Sequence, residues 1–247
     1  FLTSESFEIV KCRQCSFRFT NPRPEPGELG RYYQSSDYIS HSDSRRGVFA
    51  SVYQLVRKYT LSQKYTLISR IQPSGEILDI GCATGQFLNY MTERGWKATG
   101  IEPDDKTRNR AISEFGLNVF PENHLSKLGQ SSFDVITLWH VLEHVSDLNG
   151  RMMQISDLLK PGGTLIIAVP NCNSKDAEIY HEYWAAYDLP RHLYHFTKSD
   201  MDFLMDKFGL KIVKTLPMRF DAFYVSLLSE KYKSGNMRWL PALWNGF

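Results

Sequence analysis

The stretch Leu78-Asp79-Ile80-Gly81-Cys82-Ala83-Thr84-Gly85 constrains this 247-residue chain more than any other. It reads as a short apolar strand ending in an acid, then a glycine turn, then a helical pattern in Phe87, Leu88 and Met91. A parallel-sheet protein presents a nucleoside-like ligand in this way, at the carboxyl end of its first strand. Gly81 and Gly85 permit a tight turn and close approach of the backbone, because neither carries a Cβ. The first-turn amides of the following helix are then available to a ligand.

Two classes of cofactor suit such a turn, a nicotinamide dinucleotide and S-adenosylmethionine. The spacing here is D-x-G-x-x-x-G rather than the G-x-G-x-x-G of the dinucleotide fingerprint, which weakens the first. A second landmark lies 23 positions on (102 − 79): Trp96-Lys97-Ala98-Thr99-Gly100-Ile101-Glu102 reads as another strand ending in an acid. A carboxylate there is placed to accept hydrogen bonds from ribose hydroxyls. Phe133 to His140 follows as an apolar strand, and Val141 to Val145 as the start of a helix. Leu158-Leu159-Lys160-Pro161-Gly162-Gly163 ends a helix at a Pro-Gly turn, and Thr164 to Pro170 is a buried strand. Strands alternating with helical patterns predict a parallel sheet covered by helices.

Together, LDIGCATG, GIEPD, FDVITLWHVLEHVSD and LLKPGGTLIIAVPN, in that order over Ile77 to Asn171, resemble the class I S-adenosylmethionine-dependent methyltransferases. The variety is that of small-molecule enzymes of the ubiquinone-biosynthesis type. Ala83 replaces the middle glycine of the family's usual D-x-G-x-G-x-G. The resemblance implies an α/β fold, a Rossmann-like sandwich around a mostly parallel sheet, with a short N-terminal appendage. It implies that Asp79, Gly81, Cys82, Gly85 and Phe87 lie at the cofactor and that Glu102 binds its ribose. Pro103 and Asp104 would flank the adenine, Glu122 and Asn123 would reach the exocyclic amine, and Leu138, Trp139 and His140 would line the methionine end. S-Adenosylhomocysteine would be the product. Nucleobase N-methyltransferases carry an Asn/Asp-Pro-Pro-aromatic tetrad where this chain reads Leu138-Trp139-His140-Val141, so nucleic acid is not expected as a substrate.

The chain divides into a Cys-bearing arm and Tyr-rich lid (1–45) and a methyltransferase domain (46–247) with an acceptor-side insertion at about 171–200. A net charge of +2 leaves no nucleic-acid footprint. No apolar run approaches the roughly 20 residues of a membrane span, no leader is apparent, and a cytoplasmic enzyme is the expectation. The chain begins with Phe rather than Met, which leaves room for residues upstream. Cys12 and Cys15 form one C-x-x-C pair, half of a zinc site, since structural zinc takes four ligands. Related enzymes carry a zinc ribbon with two such pairs followed by a phrase like Phe19-Thr20-Asn21-Pro22-Arg23-Pro24. Zinc is therefore possible at Cys12 and Cys15 but not expected, and His41 is the one candidate third ligand. In the lid, Tyr33 and Tyr38 either close over the cofactor or pack the arm. Val48 to Ile71 reads as a helix whose Val52, Leu55, Val56, Tyr59, Leu67, Ile68 and Ile71 are mostly core.

His140-Val141-Leu142-Glu143-His144 matches the H-x-x-E-H of inverted zinc proteases. That reading is set aside, because the segment follows a strand directly and lacks the long metal helix. Beyond Asn171, aromatic rings surround His181, His192 and His195. Methyl transfer is an in-line displacement that needs mainly orientation, but an oxygen or carbon acceptor must also lose a proton. Histidine suits that task near neutral pH; the candidates are His195, then His192, then His144, each of which could equally be a satisfied core residue. Arg191 could hold an anionic acceptor. Ser199 is the expected cap of a helix ending at Gly209, and Leu210 to Leu216 is expected to form a sixth strand. The usual closing strand has no clear counterpart, because Phe220–Leu228 and 239–247 do not alternate; it is irregular or lies beyond this sequence.

The function expected is methyl transfer to an O or C atom of a small molecule, either a sugar or nucleotide-sugar or a phenolic or quinone precursor. The alternatives are a non-catalytic binding subunit of the same fold and, more remotely, a nicotinamide-dependent oxidoreductase.

Overall fold

The computed structural model describes residues 5–25, 27–33 and 48–246. In chain order the strands and helices are β1 (Glu8–Lys11), β2 (Arg18–Asn21), α1 (Val48–Ser69), β3 (Glu76–Ile80), α2 (Gln86–Thr92), β4 (Lys97–Ile101), α3 (Asp105–Phe115) and β5 (Asn118–Phe120). These are followed by β6 (Phe133–Trp139), α4 (Leu148–Leu158), β7 (Leu159–Ala168), α5 (Lys175–Tyr180), β8 (Tyr194–His195), α6 (Lys198–Lys207), α7 (Arg219–Ser234) and α8 (Trp239–Gly246). They form two compact units, one of Ser36–Leu142 with Asp147–Ala168, the other of Phe1–Ser35, Glu143–Ser146 and Val169–Phe247.

The first unit is an all-parallel five-stranded sheet in the order β5-β4-β3-β6-β7. The chain steps outward from β3 to β5, then returns beside β3 as β6, so the strand order reverses at β3. In open α/β sheets ligands bind outside the carboxyl ends of the strands at such a reversal. Those ends here are Asp79–Gly81 and Thr137–Trp139. The apolar run of β3 suits a strand covered on both faces: Ile77 and Leu78 are both fully buried, Ile77 in a core with Leu88, Met91, Trp96 and Val135. Helix α3 is stopped at both ends by its own sequence. The Asp104 carboxylate accepts from the Thr107 amide at its start, and Gly116 takes the left-handed conformation (φ 64°) past its end. Among the apolar residues of α1, Ile68 is fully buried, whereas Leu55 and Tyr59 are exposed rather than core, as is Ile71 just past its end.

Three local expectations are corrected. Val141–Val145 does not open a helix: a 3-10 turn covers Leu142–His144, and α4 starts only at Leu148, where Asp147 caps the Gly150 amide. Pro161-Gly162-Gly163 lies inside β7, which begins directly after α4 and absorbs the glycines as a register shift against β6. Leu210–Leu216 pairs with no strand and Val213 stays 87% exposed. β-Branched residues favour a strand only where a neighbouring strand receives them.

In the second unit, β1, β2 and β8 form an antiparallel sheet that the sequence reading did not anticipate. The arm and the acceptor-side stretch, read separately from the sequence, are thereby hydrogen-bonded together: Arg18 and Phe19 pair with His195 and Tyr194. Phe17 packs on Tyr194 and Phe196 with ring centroids 5.7 and 5.6 Å away. A second core collects Cys172, Ala177, Tyr180, Trp184 and Ala186. Thr197, rather than Ser199, caps α6, in a reciprocal capping box with Asp200. Phe220–Leu228 belongs to helix α7, whose Glu230 accepts from the Tyr180 hydroxyl at 3.1 Å. No helix among the described residues is long and apolar enough to cross a membrane.

Candidate functional site

The glycine turn after β3 is held by the strand beside it. The amides of Gly81 and Cys82 donate to the Ile101 carbonyl at 2.7 and 3.0 Å, and the Ala83 amide donates to Glu102 Oε2 at 2.9 Å. The other oxygen of Glu102 accepts from the Asp104 amide at 3.0 Å. Gly81 and Gly85 both sit at φ 75°, where an L side chain is strained. A Cβ on Gly81 would lie 2.4 Å from Val141 Cγ2, and one on Gly85 would lie 2.6 Å from Leu117 Cδ1. Ala83, which departs from the family's glycine, also adopts a left-handed conformation, with φ 49°. No side chain caps the start of α2.

Two buried acids flank this turn, Asp79 at 2% and Glu102 at 8% exposure. Burial pushes the Asp79 carboxyl up to about 7, against the Thr137 hydroxyl, which donates to Asp79 Oδ1 at 2.6 Å, and the charge of Lys64. Burial also raises Glu102, with its two amide donors and Arg108 acting in the opposite direction. The Cys82 thiol is pushed up by burial and by both acids, so it stays a neutral packing group.

The remaining cofactor candidates divide between core and surface. Leu138 is fully buried, and Phe87, 6% exposed, meets the Trp139 ring edge-on at 5.7 Å. The Lys64 ammonium lies 4.0 Å from the Trp139 ring centroid. His140 is exposed at φ 58°, with its amide on the Ala168 carbonyl. Pro103 is exposed beside Glu102. Asn123 lies on the 3-10 turn Glu122–Lys127, and Glu122 is engaged by Arg151. Thr137 and Lys64 escaped the sequence reading. A hydroxyl registered opposite Asp79 on the neighbouring strand was the available signal for Thr137; Lys64 gave none.

In the second unit the structure brings His144 and His192 together, with ring centroids 4.6 Å apart, and places Glu143, wholly buried, beside them. His192 Nδ1 lies 2.8 Å from the Ala186 carbonyl, and its Nε2 faces Glu143 Oε1 at 4.0 Å and Asp188 Oδ2 at 3.7 Å. His144 Nδ1 is 2.9 Å from both the Arg191 carbonyl and the Tyr33 hydroxyl. Burial and the nearby His192 lower His144 to about 4.

His195 stands differently. Its Nε2 lies 3.1 Å from Thr20 Oγ1, whose own proton goes to the His192 carbonyl at 2.5 Å. Nε2 is therefore the protonated nitrogen. Burial lowers its pKa to about 3. The Arg191 guanidinium is occupied by Asp188, with Nε 3.0 Å from its carboxylate.

Cys12 and Cys15 occupy the β1–β2 turn with free thiols. Hydrogen bonds from the Cys15 and Gln14 backbone lower the Cys12 thiol. Neither joins a group of three potential metal ligands among the described residues. Tyr38 and His41 lie outside the described residues. The same unit holds a cavity of about 890 Å³ lined by Arg18, Cys172, Asn173, Trp184, Tyr187 and Asp188, among others.

Known proteins agree with this architecture. The chain is 29% identical to the ubiquinone biosynthesis O-methyltransferase of Nitrosospira multiformis, over 59% of this chain and 66% of that protein. It is 35% identical to the enzyme of that name from Aeromonas salmonicida, over 40% of this chain and 44% of the other. The chain thus spans less than two thirds of these relatives' length. Magnesium protoporphyrin IX methyltransferase from Synechocystis, solved with bound S-adenosylhomocysteine, shares the fold: TM-score 0.60 at 14% identity, over 78% of this chain and 92% of that one. The methyltransferase-domain family matches residues 53–215, well over half of the chain. The protein therefore belongs to the methyltransferase-domain family and has the class I S-adenosylmethionine-dependent methyltransferase fold.

Proposed function

We propose that the protein transfers a methyl group from S-adenosylmethionine to an oxygen or carbon atom of a small-molecule acceptor. The observation that carries this reading is the pair of buried acids, Asp79 and Glu102, on either side of a turn whose glycines leave no room for side chains. Burying two carboxylates is unfavourable unless each is paired or serves a ligand. Glu102 has a second lone pair on each oxygen for ribose hydroxyls while its backbone donors hold it in place. Asp79 sits at the strand end nearest the turn, where it orients the amino-acid part of the cofactor. Pro103 and Asp104 border the adenine, and Leu138, Trp139 and His140 the methionine end. When bound, the cofactor supplies an electrophilic methyl group on a sulfonium.

The acceptor belongs to the second unit in this proposal, where a cavity with aromatic lining suits a phenolic, quinone-type or sugar ring. The relatives named as ubiquinone biosynthesis O-methyltransferases favour oxygen as the accepting atom. Of the three candidate histidines, His195 is committed to Thr20. We assign activation of the acceptor to the group formed by Glu143, His144 and His192, which borders that cavity through Asp188, 3.7 Å from His192 Nε2. Tyr33, whose hydroxyl lies 2.9 Å from His144 Nδ1, closes over the acceptor, and a cytoplasmic location completes the proposal.

The test combines calorimetric binding of S-adenosylhomocysteine with its release from S-adenosylmethionine in a small-molecule extract. Extract-dependent release, abolished in His192→Ala but retained in His195→Ala, is expected, and a product 14 mass units heavier names the acceptor. Binding without release under any extract supports the non-catalytic subunit. Binding of NADH in place of S-adenosylhomocysteine overturns the proposal.

A further inference from the structure

The H-x-x-E-H stretch contributes only part of itself to a cluster. His140 stays at the surface, while Glu143 and His144 on the 3-10 turn meet His192 from 48 positions downstream of His144 (192 − 144). One ligand atom from each of the three residues lies within 4.8 Å of the other two. Glu143 is fully buried and His192 is 8% exposed. The backbone ties the two segments together, since the Leu193 amide donates to the Glu143 carbonyl at 2.7 Å.

The orientation of the two imidazoles is the telling feature. A carbonyl oxygen only accepts, so the Ala186 carbonyl assigns the proton of His192 to Nδ1. The Arg191 carbonyl does the same for His144. In the neutral form of each ring the lone pair is therefore on Nε2, and both rings are fixed from behind by a backbone acceptor. Histidines that bind metals are oriented in this way, with the non-ligating N–H held by a carbonyl or carboxylate. Two imidazoles with a buried carboxylate form a mixed nitrogen and oxygen donor set. First-row transition ions favour such a set, whereas magnesium and calcium take oxygen.

We propose that Glu143, His144 and His192 bind one divalent transition-metal ion, with Zn²⁺ as the reference ligand. Ligands about 2.1 Å from a tetrahedral ion stand roughly 3.4 Å apart. The His192 Nε2–Glu143 Oε1 separation of 4.0 Å therefore closes by a small side-chain adjustment. Three protein ligands leave a coordination position for water or an acceptor oxygen. Asp188, 3.7 Å from His192 Nε2, is close enough to join through that water. The site follows from the geometry of these residues alone; its role in acceptor activation rests on the methyl-transfer reading.

The experiment titrates the full, chelator-stripped chain with Zn²⁺ against a chromophoric chelator, and separately with Mg²⁺. Expected is one Zn²⁺ per chain, binding at least tenfold weaker in Glu143→Gln and in His192→Gln and unchanged in the Cys12→Ser/Cys15→Ser double variant. Melting curves report whether the variants fold. Should they not, Co²⁺ added to the unaltered chain decides: visible bands from nitrogen and oxygen ligands without thiolate charge transfer support the site. The proposal is overturned by no stoichiometric binding, by Mg²⁺ binding as tightly as Zn²⁺, or by a thiolate band that disappears with the cysteines. None of these readouts depends on methyl transfer.

Discussion

Replacing Asp79 with Asn changes the pH dependence of stability in a defined direction. Burial raises this carboxyl from 3.8 to about 7 in the folded chain. Below the lower value the acid is protonated in both states and burial costs nothing. Between the two values the folded state holds a proton that the unfolded state has lost, so stability falls as pH rises. Above about 7 the full penalty stands, on the order of 4 kcal/mol at about 1.4 kcal/mol per pH unit. An Asn of the same shape avoids ionisation and keeps an oxygen for the Thr137 hydroxyl. Urea unfolding of both proteins from pH 4 to pH 8 is the assay. Asp79→Asn is expected to match the parent near pH 4 and to exceed it by up to about 4 kcal/mol at pH 8, while losing S-adenosylhomocysteine binding. The difference between the proteins must be read, because His144 and His195 titrate the other way. Their lowered values, about 4 and about 3, give stability that is full above 6.5 and lost as pH falls. A pH-independent difference between parent and variant refutes the argument that Asp79 is an acid buried at the expense of stability.

Other perturbations follow from the same turn and from the second unit. Glu102→Gln turns an N–H group toward an amide donor at Ala83 or Asp104, and calorimetry should show S-adenosylhomocysteine affinity at least tenfold lower with the fold retained. Gly81→Ala combines left-handed strain with the 2.4 Å contact on Val141, and urea unfolding should show about 2–4 kcal/mol lost. Adding Val141→Ala should recover the contact part but not the strain; complete recovery contradicts the backbone argument. Thr20→Val leaves the buried His195 N–H and the His192 carbonyl without partners, with an expected loss of about 2 kcal/mol at an unchanged m-value.

The parallel sheet was legible because each of its signals is local. An apolar run, an acid and a glycine turn within eight residues specify how β3 ends, and β4 and β6 repeat the pattern of an apolar run leading to a polar end. The antiparallel sheet was not legible for the opposite reason. β2 and β8 are four and two residues long and are separated by more than 170 positions, and no periodicity within either announces the partner. Leu210–Leu216 shows the converse failure: a strand-like composition without a neighbour stays exposed.

The same distinction governs the site. Asp79, the glycines and Glu102 could be placed from sequence because strand ends and turns fix them through their own backbone. The histidines could not be ranked, because their chemistry depends on which atoms lie behind them. His195, set among aromatic rings, donates its Nε2 proton to a threonine of the arm, and burial lowers its pKa to about 3. His144 and His192, ranked lower, are the pair whose Nδ1 protons face main-chain carbonyls and whose Nε2 lone pairs remain for chemistry. Glu143 and His144 belong to a motif that fails as a metal helix, because the segment forms a 3-10 turn and its first histidine stays at the surface. A residue from a distant loop takes that place, so the functional spacing is measured across the fold rather than along the chain.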